Sequence, residues 1–262
     1  MIRNVFGKAV TKSTALSLLE YKNKDESAIS SVDLAKVALA LKNSQGKGKD
    51  EEEVLRSVQI VREICGRKQE EEFCTLGWIY NATGSAITLL DTHNGRGKLA
   101  ASTLYPVRIE NGQWGMFLHE QSCLESSGAV VYEGYNSDYL QICYWCVAWK
   151  NRSMSSSPQV HVKIGRDIDW CKNEWNNVYR TLENSGSLHR IKEKGWLSVI
   201  SASARPNVVF EALLTMDHDH LLGRSAFAED ALLERCLIGK CLDGEENGAG
   251  GALPEKSDLR NT

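Results

Sequence analysis

Apolar residues recur at helical spacing in the first part of the chain, where polar and apolar positions do not alternate. Those between residues 34 and 41 fall on one face of a predicted helix, which Ser30 would cap with Asp33 as its capping-box partner. A second helix is predicted over residues 50–66, with its acidic first residues at the positive end of the helix dipole. This pattern indicates a helical N-terminal region, residues 1–75.

From Leu76 onward the pattern changes to short runs in which apolar and polar residues alternate, separated by glycine, asparagine, serine and aspartate. The predicted strands cover residues 76–80, 86–90, 104–109, 113–119, 128–133, 140–149, 158–164 and 207–214. One helix, residues 169–184, interrupts them before Gly186. Eight short strands with turns between them favour an antiparallel sandwich or barrel, so the fold class is mainly β with helices, over residues 76–216.

Charge separates the end of the chain from the rest. The chain carries 31 basic and 34 acidic residues, and residues 217–262 hold ten of the acidic against five of the basic ones. The tail is therefore acidic, and its glycine-rich final stretch is expected to be partly disordered. With a net charge of −3 the chain lacks the basic field that nucleic-acid binding requires, which excludes nucleic acid as a partner.

The sequence contains no apolar run of the length of a membrane helix, and its N-terminus lacks the apolar core of a secretion signal. We therefore expect a cytoplasmic protein without a transmembrane segment, although peripheral membrane contact stays open. In a reducing compartment its eight irregularly spaced cysteines would be free thiols.

Motifs for catalysis or cofactor binding are absent from the sequence. The C-x-x-C pair of Cys143 and Cys146 lies within an alternating strand, where the two side chains would point to opposite faces, so structural thiols are expected. An aspartate-histidine repeat with His218 and His220 could bind a metal, but a solvated linker is favoured. His119 has the character of a hydrogen-bonded residue. We expect no enzymatic activity, no metal and no cofactor.

A series of motifs in a fixed order carries a family resemblance. They are residues 4–7 (NVFG), 33–40 (DLAKVALA), 80–84 (YNATG), 105–115 (YPVRIENGQWG), 128–132 (GAVVY) and 143–149 (CYWCVAW). In this series the chain resembles the 23 kDa jasmonate-induced proteins of plants, over roughly residues 1–214. More distantly, the order and spacing of the strand region are similar to those of the actinoporins, which implies a β-sandwich of the cytolysin/lectin type flanked by helices.

The actinoporin resemblance also implies where a ligand would bind. Those toxins hold phosphocholine with a Ser-Val-Pro-Tyr run, an aromatic loop and helix tyrosines. Here Cys146 to Trp149 match the run and Tyr179 matches one tyrosine, while residues 150–157 lack aromatic side chains. Burial of tryptophans between helix and sandwich is the competing interpretation.

We therefore expect a ligand-binding site at one end of the sandwich, formed by Ser102, Cys146, Trp149 and Tyr179. Its ligand would be a lipid head group or a carbohydrate, recognised by aromatic faces and hydrogen bonds in a non-enzymatic protein of plant stress or defence. Two alternatives remain open: a membrane-permeabilising, pore-forming protein, and a storage or structural protein without a ligand.

Overall fold

The computed structural model describes residues 4–18, 20–44, 74–136, 141–152, 157–166, 175–193, 195–203 and 208–217. Alternation of inward and outward side chains along the strands builds two sheets that face each other. The described strands are β1 (Val5–Phe6), β2 (Cys74–Ala82), β3 (Ile87–Arg96), β4 (Lys98–Leu99), β5 (Arg108–Ile109), β6 (Trp114–Glu120), β7 (Glu125–Asn136), β8 (Gln141–Arg152), β9 (Gln159–Gly165), β10 (Leu188–Glu193), β11 (Trp196–Ala202) and β12 (Val208–Met216). The described helices are α1 (Lys12–Leu16), α2 (Ser31–Ser44) and α3 (Trp175–Glu183).

The two sheets differ in size and in strand direction. The seven-stranded sheet has the order β1-β6-β2-β12-β11-β10, with β4 paired to β6, and its central pair β2 and β12 is parallel. The five-stranded sheet has the antiparallel order β5-β3-β7-β8-β9. This arrangement confirms the predicted fold class, a β-sandwich with helices.

Aromatic rings fill the space between the sheets. The Trp149 ring lies 5.2 Å from that of Phe117 and 5.4 Å from that of Phe210, measured between centroids. Two glycines leave room for these rings, because an added Cβ would come within 2.5 Å of Phe117 at Gly77 and within 2.6 Å of Trp149 at Gly128. We call Phe117, Trp149 and Phe210 the central aromatic cluster; it fixes the spacing of the two sheets.

Helix α2 begins with the predicted capping box. The Asp33 amide donates to Ser30 Oγ at 3.1 Å, and the Ser30 amide donates to Asp33 Oδ2 at 3.2 Å. These reciprocal bonds satisfy amides that the first helical turn leaves without partners, so this part of the prediction is confirmed.

A buried ion pair holds α2 against the seven-stranded sheet. Lys42 Nζ lies 2.6 Å from Glu211 Oε1, and both side chains are about 95% buried. The ammonium also lies 5.0 Å from the centre of the Trp114 ring. The Tyr80 hydroxyl donates to the Ala38 carbonyl at 2.7 Å, which adds a second attachment. Residues of α1 and α2 therefore share one hydrophobic cluster with β2, β11 and β12 of this sheet.

The turn between β2 and β3 joins the same helix to the sandwich. Asn81 Oδ1 accepts from both the amide and the hydroxyl of Thr83, and the Gly84 amide donates to Asn111 Oδ1. Gly84 has φ +84°, and an added Cβ there would lie 1.9 Å from the Ser31 carbonyl oxygen. The asparagine-rich motif therefore serves to seat helix α2.

Several predicted boundaries differ from the structure. Strands β10 and β11 were not predicted, because alternating charged residues and Gly195 between them resemble a loop. The strand predicted over 104–109 is reduced to β5, since the preceding residues form the connection from β4. The predicted helix over 50–66 and the acidic tail from residue 218 lie outside the described residues.

Replacing Glu211 by glutamine should lower the free energy of unfolding by about 3 kcal/mol, because the buried Lys42 ammonium then loses the carboxylate that lies 2.6 Å away. The double variant Lys42→Met, Glu211→Gln should recover most of that loss. Urea denaturation measures both. Arg108 and Glu110 form an exposed control pair, for which Glu110→Gln should cost less than about 1 kcal/mol. Equal losses in the two pairs would contradict the assignment of a buried anchor.

Gly84→Ala should destabilise the protein by more than about 2 kcal/mol, because the methyl group meets the backbone of Ser31 and φ is positive. At Gly186 no atom lies within 4 Å of an added Cβ, so Gly186→Ala is the matched control and should change stability little. Thermal unfolding of the two variants compares them. Similar melting temperatures would show that the turn does not hold α2 in place.

Candidate functional site

Helix α3 covers the outer face of the five-stranded sheet. Its buried residues Val178 and Leu182 contact a layer of small side chains on β7 and β8 that includes Ala129, Cys146 and Ala148. Small residues let the helix approach the sheet closely, and the helix places its aromatic residues at the rim of this contact.

Three half-buried rings meet at that rim. His93 on β3 stacks on Trp175 with ring centroids 4.8 Å apart and an angle of 9° between the planes, and it lies 5.5 Å from the Tyr179 ring. Gly95 makes space for this arrangement, since an added Cβ would come 2.7 Å from the Tyr179 hydroxyl oxygen. We call His93, Trp175 and Tyr179 the aromatic patch.

Charged side chains border the aromatic patch. Lys150 Nζ donates to Glu183 Oε1 at 3.0 Å, and Arg152 Nε donates to Glu125 Oε2 at 2.8 Å. Although partial burial of Glu125 favours its neutral form, hydrogen bonds from Arg152 and Ser127 hold its pKa below the ordinary value. These four charged residues, Glu125, Lys150, Arg152 and Glu183, form what we call the polar rim.

The polar rim and the aromatic patch are electrostatically connected through Tyr179. Burial raises the pKa of the Tyr179 phenol, and the nearby Cys146 thiol and Glu125 carboxylate raise it further. The phenol is therefore neutral throughout the physiological range. A ligand at this place would meet aromatic faces on one side and both signs of charge on the other.

A buried polar network lies between the two sheets, where it joins β6 of the seven-stranded sheet to β3 and β7 of the five-stranded sheet. His119 Nδ1 is 2.9 Å from Ser126 Oγ, and His119 Nε2 is 3.2 Å from Asn94 Oδ1, which also accepts from the Tyr105 hydroxyl at 2.8 Å. Burial lowers the pKa of His119 to about 4, so the ring is neutral at pH 7. Since His119 and Ser126 are at most 1% exposed, this serine–histidine pair serves packing and has no open access to a substrate.

The predicted site residues separate into different layers. Cys146 lies on the outer face of the five-stranded sheet, in the cluster against which Tyr179 of α3 packs, whereas Trp149 lies on the inner face within the central aromatic cluster. Cys146 and Trp149 are each 1% exposed, so both side chains lie beneath the surface. Ser102 follows β4, which belongs to the other sheet.

Sequence reasoning missed His93 and the role of the polar rim. The segment after residue 90 reads as a polar loop, yet it continues β3 with shifts of register and turns His93 toward α3. Cys143 and Cys146 behave as predicted: they lie on opposite faces of β8, both buried, and burial raises the pKa of the Cys143 thiol. In the described ranges no three histidine, cysteine or acidic side chains are grouped to hold a metal ion.

The sandwich with a helix and aromatic rings on its outer face defines a protein of the actinoporin-like β-sandwich class. The chain is similar to the solved structure of the lipid binding protein Nakanori, with a TM-score of 0.67 and 24% identity over 80% of this chain and 98% of that one. The model of the Nakanori-like protein family matches residues 6–216, and the chain belongs to this family.

A second relative confirms the resemblance that the ordered motifs predicted. The 23 kDa jasmonate-induced protein of Hordeum vulgare is 31% identical over 152 residues, which cover 57% of this chain and 67% of that protein. Among the helices that the structure describes, none has the length and hydropathy needed to cross a bilayer.

Acidification should destabilise the fold through its buried histidines. His119 is neutral in the folded state with a pKa of about 4, whereas an unfolded histidine binds a proton near pH 6.5. The contribution of neutral His119 to the stability of the fold is therefore fully present above about pH 6.5 and is lost as the pH falls toward 4. From pH 7 to 4.5 the wild type should lose about 2–3 kcal/mol more than His119→Gln, measured by urea denaturation. Parallel pH profiles would contradict this.

Proposed function

We propose that this protein recognises a zwitterionic lipid head group at the aromatic patch and the polar rim, without catalysing a reaction. The arrangement of three half-buried rings beside paired charges carries this proposal. A quaternary ammonium group binds favourably against aromatic faces, and Arg152, whose side chain is 51% exposed, can donate to a phosphate when it exchanges its carboxylate partner. The name of the related lipid binding protein supports the same class of ligand.

The cellular role that we propose is a stress or defence response in a plant cell. It rests on the relationship to the jasmonate-induced protein. A cytoplasmic location is part of this proposal and is consistent with the free thiols of the described cysteines. A carbohydrate is the second ligand class to be tested, because stacked aromatic rings beside hydrogen-bonding groups also suit a sugar ring.

Membrane permeabilisation is the less favoured alternative. Release of α2 toward a bilayer would have to break the buried Lys42–Glu211 pair and the bond from Tyr80 to Ala38. Breaking such a pair is energetically unfavourable, because it leaves a buried charge without its partner. Binding without leakage is therefore the expected behaviour.

Tyr179→Ala and Trp175→Ala should each weaken binding to phosphatidylcholine vesicles at least tenfold, because each removes a face of the aromatic patch. Vesicle co-sedimentation measures the affinity, and dye release from the same vesicles measures leakage. Tyr135→Ala is the control, because this tyrosine is 45% exposed but distant from the aromatic patch. Ala129 lies opposite His93, and Tyr135 is six residues further along β7, which corresponds to about 20 Å.

Unchanged binding in both patch variants would contradict the proposed site. Absence of binding to vesicles, together with specific binding to a glycan array that Tyr179→Ala abolishes, would move the ligand to the carbohydrate class. Dye release at micromolar protein would favour the permeabilising alternative. Failure to bind vesicles and glycans alike would favour a storage role.

A further inference from the structure

Of the three rings in the aromatic patch, His93 is the one that can gain a positive charge on acidification. Tyr179 stays neutral, because burial raises the pKa of its phenol, and Trp175 does not titrate. His93 is stacked face to face on Trp175 and lies beside Tyr179. Its protonation state therefore sets the charge of the whole patch.

The surroundings of His93 favour the neutral ring. Burial lowers the pKa of His93, and Asp91 on the same strand partly opposes this. From α3 the ring meets Trp175 and Tyr179, and across the ladder on β7 its partner is Ala129. Asp91 is thus the charged group that acts on it. Because its pKa lies below the ordinary value for histidine, the ring is neutral at pH 7.5 and gains a proton only on acidification.

We propose that His93 is a pH gate of the aromatic patch: neutral His93 admits a cationic head group, and protonated His93 expels it. The inference rests on the proposed function and names how that site is regulated. Protonation would place a positive charge on the ring that is stacked on Trp175, inside the aromatic patch where a ligand ammonium would bind. This charge would repel that ammonium at a distance of a few ångströms, in a place only partly exposed to water.

The same geometry predicts the opposite response for a ligand that presents only negative charge. A protonated His93 would add one positive charge to the aromatic patch, so binding of a purely anionic lipid should strengthen on acidification. The direction of the pH dependence therefore reports which part of the head group meets the aromatic patch.

The test measures co-sedimentation with phosphatidylcholine vesicles at pH 7.5 and 5.0 for wild type, His93→Gln and His189→Gln. His189 is the control because its ring lies 4.4 Å from that of another histidine, His161, on the edge strand β9, which β7 and β8 separate from β3. Wild type and His189→Gln should bind about fivefold to tenfold more weakly at pH 5.0. For His93→Gln the ratio of the two affinities should stay within twofold, whatever its affinity at pH 7.5.

A second measurement covers the case in which His93→Gln binds too weakly to be compared. Linkage requires that a cationic ligand expelled by protonation lowers the pKa of His93 when it binds. Histidine NMR titration of the wild type with and without soluble phosphocholine should show this decrease, by about 1 for a tenfold effect. The His93 signal is the one missing from His93→Gln.

Three outcomes would overturn the inference. The first is equal binding of the wild type at both pH values. The second is a pH dependence of His93→Gln as large as that of the wild type. The third is a pKa of His93 that does not change when phosphocholine is added, although the protein binds phosphatidylcholine vesicles. Absence of vesicle binding by the wild type at both pH values would instead overturn the proposed function, and this inference with it.

Discussion

The central aromatic cluster is the constraint on which the rest of the molecule depends. Trp149, Phe117 and Phe210 can meet between the sheets because Gly77 and Gly128 carry no side chain. Once Trp149 points inward, the alternation of strand β8 sends Ala148 and Lys150 to the outer face. Ala148 then becomes part of the floor beneath helix α3, and Lys150 becomes part of the polar rim. The position of the candidate site is thus a consequence of how the core is filled.

Local patterns made part of this structure predictable. The alternation in β8 correctly separates the faces of Cys143 and Cys146, and the Ser30–Asp33 capping box correctly marks the start of α2. In both cases the deciding interactions join residues a few positions apart, so the sequence contains all the information needed. The same holds for the resemblance, which depends on motifs that seat α2 and fill the core.

The aromatic patch could not be predicted in this way, because its rings come from β3 and α3 and meet only in the folded chain. The sequence gives no signal that His93 continues a strand, since its neighbours are polar and the ladder is irregular there. Trp149 shows the converse problem. An aromatic residue near the end of a strand is equally compatible with a ligand surface and with a core, and the decision rests on the opposing sheet that supplies Phe117 and Phe210.

The parallel pairing of β2 with β12 has a consequence for how the protein folds during synthesis. Strand β12, residues 208–216, lies between β2 and β11 in the seven-stranded sheet, and the partner in its parallel ladder was synthesised more than 120 residues earlier. The sheet therefore cannot close until this strand has left the ribosome, and until then β2 presents an unpaired edge. Until β12 pairs with it, that edge is a place where a nascent chain is open to aggregation.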